Sequence, residues 1–170
     1  MKTPSILTTL TFLSFLSFLS FSTSSTLHAQ LPSTPLQTLD GKTVKVADFQ
    51  KPDKPMVISF WATWCRPCVK ELDIYQEKLA EWQKETGVVF VAVSIDDTRS
   101  APRVLPFVKG RNWEFPVLLD TNQELKRAMN VGNIPHTILL DSKGKVVWQH
   151  TAFAEGDELE LIKRIRELEL

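Results

Sequence analysis

Cysteine is scarce in this sequence, with two residues in 170. That excludes a disulfide-dense scaffold, which needs several bridges to make up for a small core. A dominant charge is missing too. Lysine and arginine together number 20, and so do aspartate and glutamate. No broad one-sign field therefore singles out nucleic acid or an anionic membrane surface as a partner. The chain has no internal repeat, and no apolar run reaches the ~18–20 residues that span a bilayer. At 43% hydrophobic residues, it has enough apolar side chains to build a core but too few for several membrane spans. Its length suits one ordinary domain plus an export segment.

The longest apolar stretch runs from Ile6 to Phe21, laced with Ser and Thr and preceded by Lys2. A polar segment, Ser22 to Thr26, follows, and Leu27-His28-Ala29 puts a small residue just before Gln30. A positive start, an apolar middle and a small-residue exit predict a secretory signal peptide over residues 1–29. A retained anchor is the alternative, and only in that case is the membrane itself a partner. No cysteine follows the apolar run to carry a lipid. Cleavage removes Lys2 alone among the charges and leaves 19 basic against 20 acidic residues. Residues 30–170 remain for the folded domain.

Residues 30–42 are rich in Pro and Thr, lack a period and read as a lead-in. Thr43-Val44-Lys45-Val46 alternates polar and apolar, which predicts a short edge strand or hairpin arm after Asp40-Gly41. Residues 55–61 and 87–95 are apolar almost throughout, as buried parallel strands are. Between them Cys68, Leu72, Tyr75, Leu79 and Trp82 recur at helical spacing on one stripe. Strand, helix and strand make a crossover unit. A weaker helix from Val104 to Lys109, a strand from Phe115 to Leu119 and a helix from Asn122 to Met129 come next. His136 to Leu140 and Lys145 to His150, joined by Asp141-Ser142-Lys143-Gly144, predict a hairpin. Glu155 to Leu170 predicts a closing amphipathic helix with Leu159, Ile162, Ile165 and Leu168 as its buried stripe. Together these predict an α/β domain with a central mixed sheet flanked by helices.

Both cysteines fall in Trp64-Cys65-Arg66-Pro67-Cys68. A bridge across so short a loop takes little entropy from the unfolded chain and stabilises poorly. Such a pair is better explained by chemistry. Cys65 follows a strand and opens a helix, among unpaired backbone N–H groups at the positive end of the dipole; both favour a thiolate. Arg66 adds a fixed positive charge in the same sense, and Pro67 presets the first helical turn. Cys68 lies one turn in, on the apolar stripe, where it is expected to be shielded. This asymmetry suits a two-step exchange in which Cys65 reacts with the substrate and Cys68 resolves the mixed disulfide. A peroxidase is disfavoured, since no lone cysteine precedes the long helix.

The segment Phe60-Trp61-Ala62-Thr63-Trp64-Cys65-Arg66-Pro67-Cys68 resembles the active-site stretch of thioredoxin-like proteins, especially the TlpA/ResA type of exported disulfide reductases. Asn133-Ile134-Pro135-His136-Thr137 resembles the cis-proline loop of that family. The resemblance covers residues 31–168 and includes the long crossover between Asp96 and Phe115. It implies a thioredoxin-like fold with an N-terminal strand or hairpin extension, and thiol–disulfide oxidoreductase activity without a cofactor. It also implies that the proline loop packs on the cysteines and that the backbone of Ile134 pairs with the substrate chain. Trp64, beside Cys65, joins Ile134 and Pro135 in the expected substrate surface.

Glu71, three residues after Cys68 and on the same helical face, matches the glutamate that ResA-like proteins place near their cysteines. It is the expected acceptor of the Cys68 proton. The implied partners are disulfide-containing exported proteins as substrates and a membrane thiol carrier as electron donor. The implied location is periplasmic or otherwise extracytoplasmic, with cytochrome c maturation as the destination, where Cys-x-x-Cys-His sites must be reduced before haem attachment. Two positions depart from the pattern. Ser59 stands where cytosolic thioredoxins carry a buried aspartate, and Asp73 stands where the family often has a helix-kinking proline. The competing reading is a copper-handling protein that binds soft Cu(I) through Cys65, Cys68 and His136; the redox reading needs no metal. Taken alone, His136 reads as a strand-start histidine making an ordinary hydrogen bond.

Overall fold

The computed structural model describes residues 31–168. The predicted signal segment, residues 1–29, lies outside them. Two buried strands form the centre, β3 (Met56–Trp61) and β4 (Val89–Ser94), parallel and buried at every position. Helix α1 (Arg66–Thr86) connects them. Before this unit, β1 (Pro35–Thr38) and β2 (Thr43–Lys45) form an antiparallel hairpin. After it come α2 (Val104–Gly110), β5 (Val117–Leu119) and α3 (Glu124–Ala128). The hairpin of β6 (His136–Leu140) and β7 (Val146–Thr151) and the helix α4 (Asp157–Glu167) complete the chain. All strands join one seven-stranded sheet in the order β2-β1-β5-β4-β3-β6-β7. Its centre is parallel and both margins are antiparallel, so the expected mixed sheet is present. No helix among the described residues is long and apolar enough to cross a membrane.

Strand β1 corrects the reading of residues 30–42 as an aperiodic lead-in. Only Leu36 of this strand is fully buried, and Gln37 pairs with Leu119 of β5. One inward residue is too short a signal for periodicity. The pairing with β5 makes the strand. Helix α4 brings a second correction, because Leu159 is 66% exposed while Leu161, Ile162 and Ile165 are buried. A spacing of three drifts around a helix of 3.6 residues per turn, so residues 159 and 168 leave the face that 162 and 165 share.

Helix α1 is capped at both ends. Cys65 is its N-cap, with Sγ 3.3 Å from the Cys68 N–H, and Pro67 occupies the first turn. Gly87 closes it at φ 68°, and its N–H donates to the Gln83 carbonyl. The left-handed φ favours glycine there, and a Cβ would also displace the flexible end of the Lys54 side chain, 2.7 Å away. The helix runs unbroken past Asp73, where the family often places proline. Here Asp73 has another task. Its Oδ1 accepts from Trp113 Nε1 at 2.9 Å and its Oδ2 from the Arg111 guanidinium. Gln76 Oε1 accepts from the Glu114 N–H at 2.8 Å. These contacts hold the long crossover on α1. Beneath them aromatic rings run from Tyr75 through Phe90, Phe115 and Trp113 to Trp61, at centroid spacings of 5.5, 4.9, 5.4 and 4.9 Å. Ring pairs at such distances add to the burial they bring.

Candidate active site

Three chain ends meet at one edge of the sheet: the exits of β3 and β4 and the entry of β6. The register places His136 opposite Phe60, so the cis Ile134–Pro135 peptide lies level with the exit of β3. The Ala152 N–H donates to the Pro135 carbonyl at 2.9 Å, which ties this loop to the end of β7. Asp96, just past β4, holds the segment before the cysteines. Its Oδ2 accepts from the Thr63 N–H at 2.9 Å and from Ser94 Oγ at 2.8 Å, and its Oδ1 accepts from Thr63 Oγ1 at 2.6 Å. Asp96 is fully buried, so these bonds replace the hydration it has lost.

Cys65 and Cys68 form a disulfide, with Cα atoms 5.3 Å apart. Cys65 caps α1 and keeps 6% of its surface exposed, and Cys68 is fully buried. Trp64 is 63% exposed, an unusual position for a large indole. Arg66 and Pro67 are exposed beside it, Ile134 is half-buried and Pro135 is buried.

Glu71 is 1% exposed, so it is wholly buried and not a helix-surface side chain. Three hydroxyls hold it. Thr137 Oγ1 and Tyr75 OH donate to Oε1 at 3.1 and 3.2 Å, and Ser59 Oγ donates to Oε2 at 3.1 Å. Burial pushes its pKa up to about 7 despite the Thr137, Ser59 and Tyr75 hydrogen bonds, each of which favours the charged form. The Asp157 charge adds a smaller upward push. Burial also raises the Tyr75 hydroxyl well above its ordinary value, and the charge of Glu71 adds to this.

His136 begins β6 with Nδ1 2.7 Å from Thr151 Oγ1 across the hairpin, and burial lowers its pKa. Among the described residues no three His, Cys, Asp or Glu side chains gather where they could hold a metal ion.

Sequence reasoning missed Asp96 and Thr63, and it read Tyr75 only as a core residue. One signal was available. Ser59 and Thr137 are polar positions inside otherwise apolar strands, and a buried hydroxyl requires a partner.

Similarity to known proteins agrees with this geometry. Residues 27–149 match the model of the AhpC/TSA family. The chain belongs to that family. It is 34% identical over 131 residues to the thiol-disulfide oxidoreductase ResA of Bacillus thuringiensis strain Al Hakam, covering 77% of this chain and 73% of that protein. A solved thioredoxin-like protein from Porphyromonas gingivalis is 50% identical, with a TM-score of 0.72 over 83% of this chain and 92% of that one. A structure from Chlorobium tepidum described as a thiol:disulfide interchange protein DsbE is 27% identical. It has a TM-score of 0.71 over 82% of this chain and 94% of that one. The fold is thioredoxin-like, and the protein is a ResA-like thiol–disulfide oxidoreductase with a Cys-x-x-Cys pair.

Proposed function

We propose that this protein reduces disulfides in exported proteins outside the cytoplasm, cycling Cys65 and Cys68 between dithiol and disulfide. The observation that carries the reading is Glu71, a buried carboxyl one turn beyond Cys68 whose pKa lies near neutrality. A proton acceptor poised near the working pH is what the second exchange step needs. The Cys65 thiolate attacks one sulfur of the substrate disulfide. That S–S bond breaks and the other substrate sulfur leaves as a thiolate. Cys68 gives its proton to Glu71, and its thiolate attacks Cys65 Sγ, which breaks the mixed disulfide. The second substrate sulfur leaves and is protonated, and two electrons have passed from the cysteine pair to the substrate. A dithiol donor, a membrane thiol carrier on this reading, returns those electrons. Trp64, Ile134 and Pro135 offer the surface that receives the substrate chain, while Arg66 and Pro67 favour the Cys65 thiolate.

Likeness to ResA and the N-terminal leader pattern support cytochrome c maturation as the destination. The test is the reduction potential of the pair, read from Trp61 and Trp64 fluorescence, together with reduction of an oxidised Cys-x-x-Cys-His peptide. A potential near that of thioredoxin, about −270 mV, supports a reductase, whereas one approaching about −120 mV overturns it. Preference for the haem-site peptide over insulin supports the destination, and equal rates refute it. Export is checked by N-terminal sequencing of the protein recovered from the extracytoplasmic fraction, with a start near Gln30 expected.

A further inference from the structure

The carboxyl of Glu71 is held in an uncommon way for a buried acid. No Lys, Arg or His among the described residues shares a hydrogen bond or ion pair with it. Its partners are three neutral hydroxyls from three elements: Ser59 from β3, Tyr75 from α1 and Thr137 from β6. A cation would fix the group as a carboxylate at every working pH, whereas hydroxyls hold either form because each can donate or accept. The bonds are also unequal. Oε1 receives two donors and Oε2 only one, so Oε2 keeps an open lone pair while Oε1 has none. Oε2 is therefore the oxygen with room for a proton, and when that proton occupies the lone pair facing Ser59 the hydroxyl can turn from donor to acceptor to hold it.

We propose that Ser59, Tyr75 and Thr137 form a hydroxyl cage that positions Glu71 for proton exchange with Cys68, with Ser59 reversing its hydrogen bond as the proton comes and goes. This rests on the Glu71 role proposed above. Tyr75 and Thr137 are positioning residues: they do not touch the reacting sulfurs but pin Oε1 and leave Oε2 as the working oxygen. The cage also accounts for the departure at position 59. The buried aspartate that cytosolic thioredoxins carry on this strand is replaced by a hydroxyl, and the carboxylate arrives instead from the helix. The other ionisable groups acting on Glu71 are Tyr75 on its own helix and Asp157 at the start of α4, and Cys68 precedes it by one turn. His136 on β6 turns to Thr151 instead.

The experiment is the pH–rate profile of disulfide reduction by the full mature protein, for wild type, Glu71→Gln, Tyr75→Phe, Thr137→Val, Thr137→Ser and Ser59→Ala. Wild type should show an inflection near neutral pH that Glu71→Gln abolishes. Tyr75→Phe and Thr137→Val each remove a donor to the carboxylate and should move the inflection up by on the order of one pH unit, tenfold in proton affinity. Thr137→Ser restores the hydroxyl and should restore the wild-type inflection. Tyr75 keeps only a weaker bond to the neutral acid, whereas a reversed Ser59 bonds the carboxylate as donor and the acid as acceptor, so the Ser59→Ala inflection should move less than that of Tyr75→Phe while the rate falls. If Glu71→Gln keeps the inflection, the Glu71 role itself fails. If it abolishes the inflection but Tyr75→Phe and Thr137→Val lower the rate at an unmoved inflection, the cage is only structural and this inference falls. A Ser59→Ala shift as large as that of Tyr75→Phe overturns the reversal.

Discussion

Replacing Glu71 by Gln should make the oxidised protein more stable at alkaline pH and leave it unchanged at acid pH. The reason is linkage. Burial lifts the Glu71 pKa from its ordinary 4.5 to about 7, so the folded protein holds this proton more tightly than the unfolded chain does. The stabilisation linked to that proton is fully present below about pH 4.5 and is lost as pH rises through about 7. That span corresponds to about 3 kcal/mol at pH 9, or ~10 °C in Tm for a domain of this size. Glutamine copies the protonated acid. Its amide oxygen can accept from Thr137 and Tyr75, and its NH2 can donate to Ser59, so no hydroxyl of the cage is orphaned. The assay is urea denaturation of both proteins in the disulfide form, from pH 5 to pH 9. His136, whose pKa burial lowers, titrates in both and cancels in the difference. The two curves should lie closest at pH 5, part between about pH 5 and 7, and run level with each other above about pH 8, with the variant on top. Parallel curves across the range would refute the argument.

Three further outcomes are expected. Arg66→Glu should slow iodoacetamide alkylation of reduced Cys65 at neutral pH and lower the reduction potential of the pair, because a negative charge opposes the thiolate. An alkylation pH profile identical to wild type would sink that expectation. Trp64→Ala should leave thermal stability within about 0.5 kcal/mol of wild type, since the indole is mostly exposed. It should slow reduction of protein substrates more than that of a small aromatic disulfide, and equal slowing of both would count against Trp64 as substrate surface. Asp96→Ala leaves the Thr63 N–H and hydroxyl and the Ser94 hydroxyl without their acceptor. The expected cost is about 2–4 kcal/mol in urea unfolding, together with slower disulfide exchange; a loss under about 1 kcal/mol would show that Thr63 is held by other means.

The sequence by itself determined the cysteine pair, the helix it opens and the two central strands. Each is written in short-range terms: a three-residue spacing, a proline in the first turn, and apolar runs of strand length. It also put Glu71 on the same helical face as Cys68, which follows from helical geometry alone. What it left open was the surroundings of that carboxyl. Ser59 and Glu71 lie 12 positions apart and Thr137 and Glu71 lie 66 apart. They meet only because β3 pairs with β6 in the register that sets Ser59 beside Thr137. The same holds for Asp96 and Thr63, 33 positions apart, and for β1, which is a strand because β5 lies beside it. Local periodicity records which residues face inward. Only the tertiary register decides which polar groups meet there, and with that whether a buried acid is fixed as an anion or left free to move a proton.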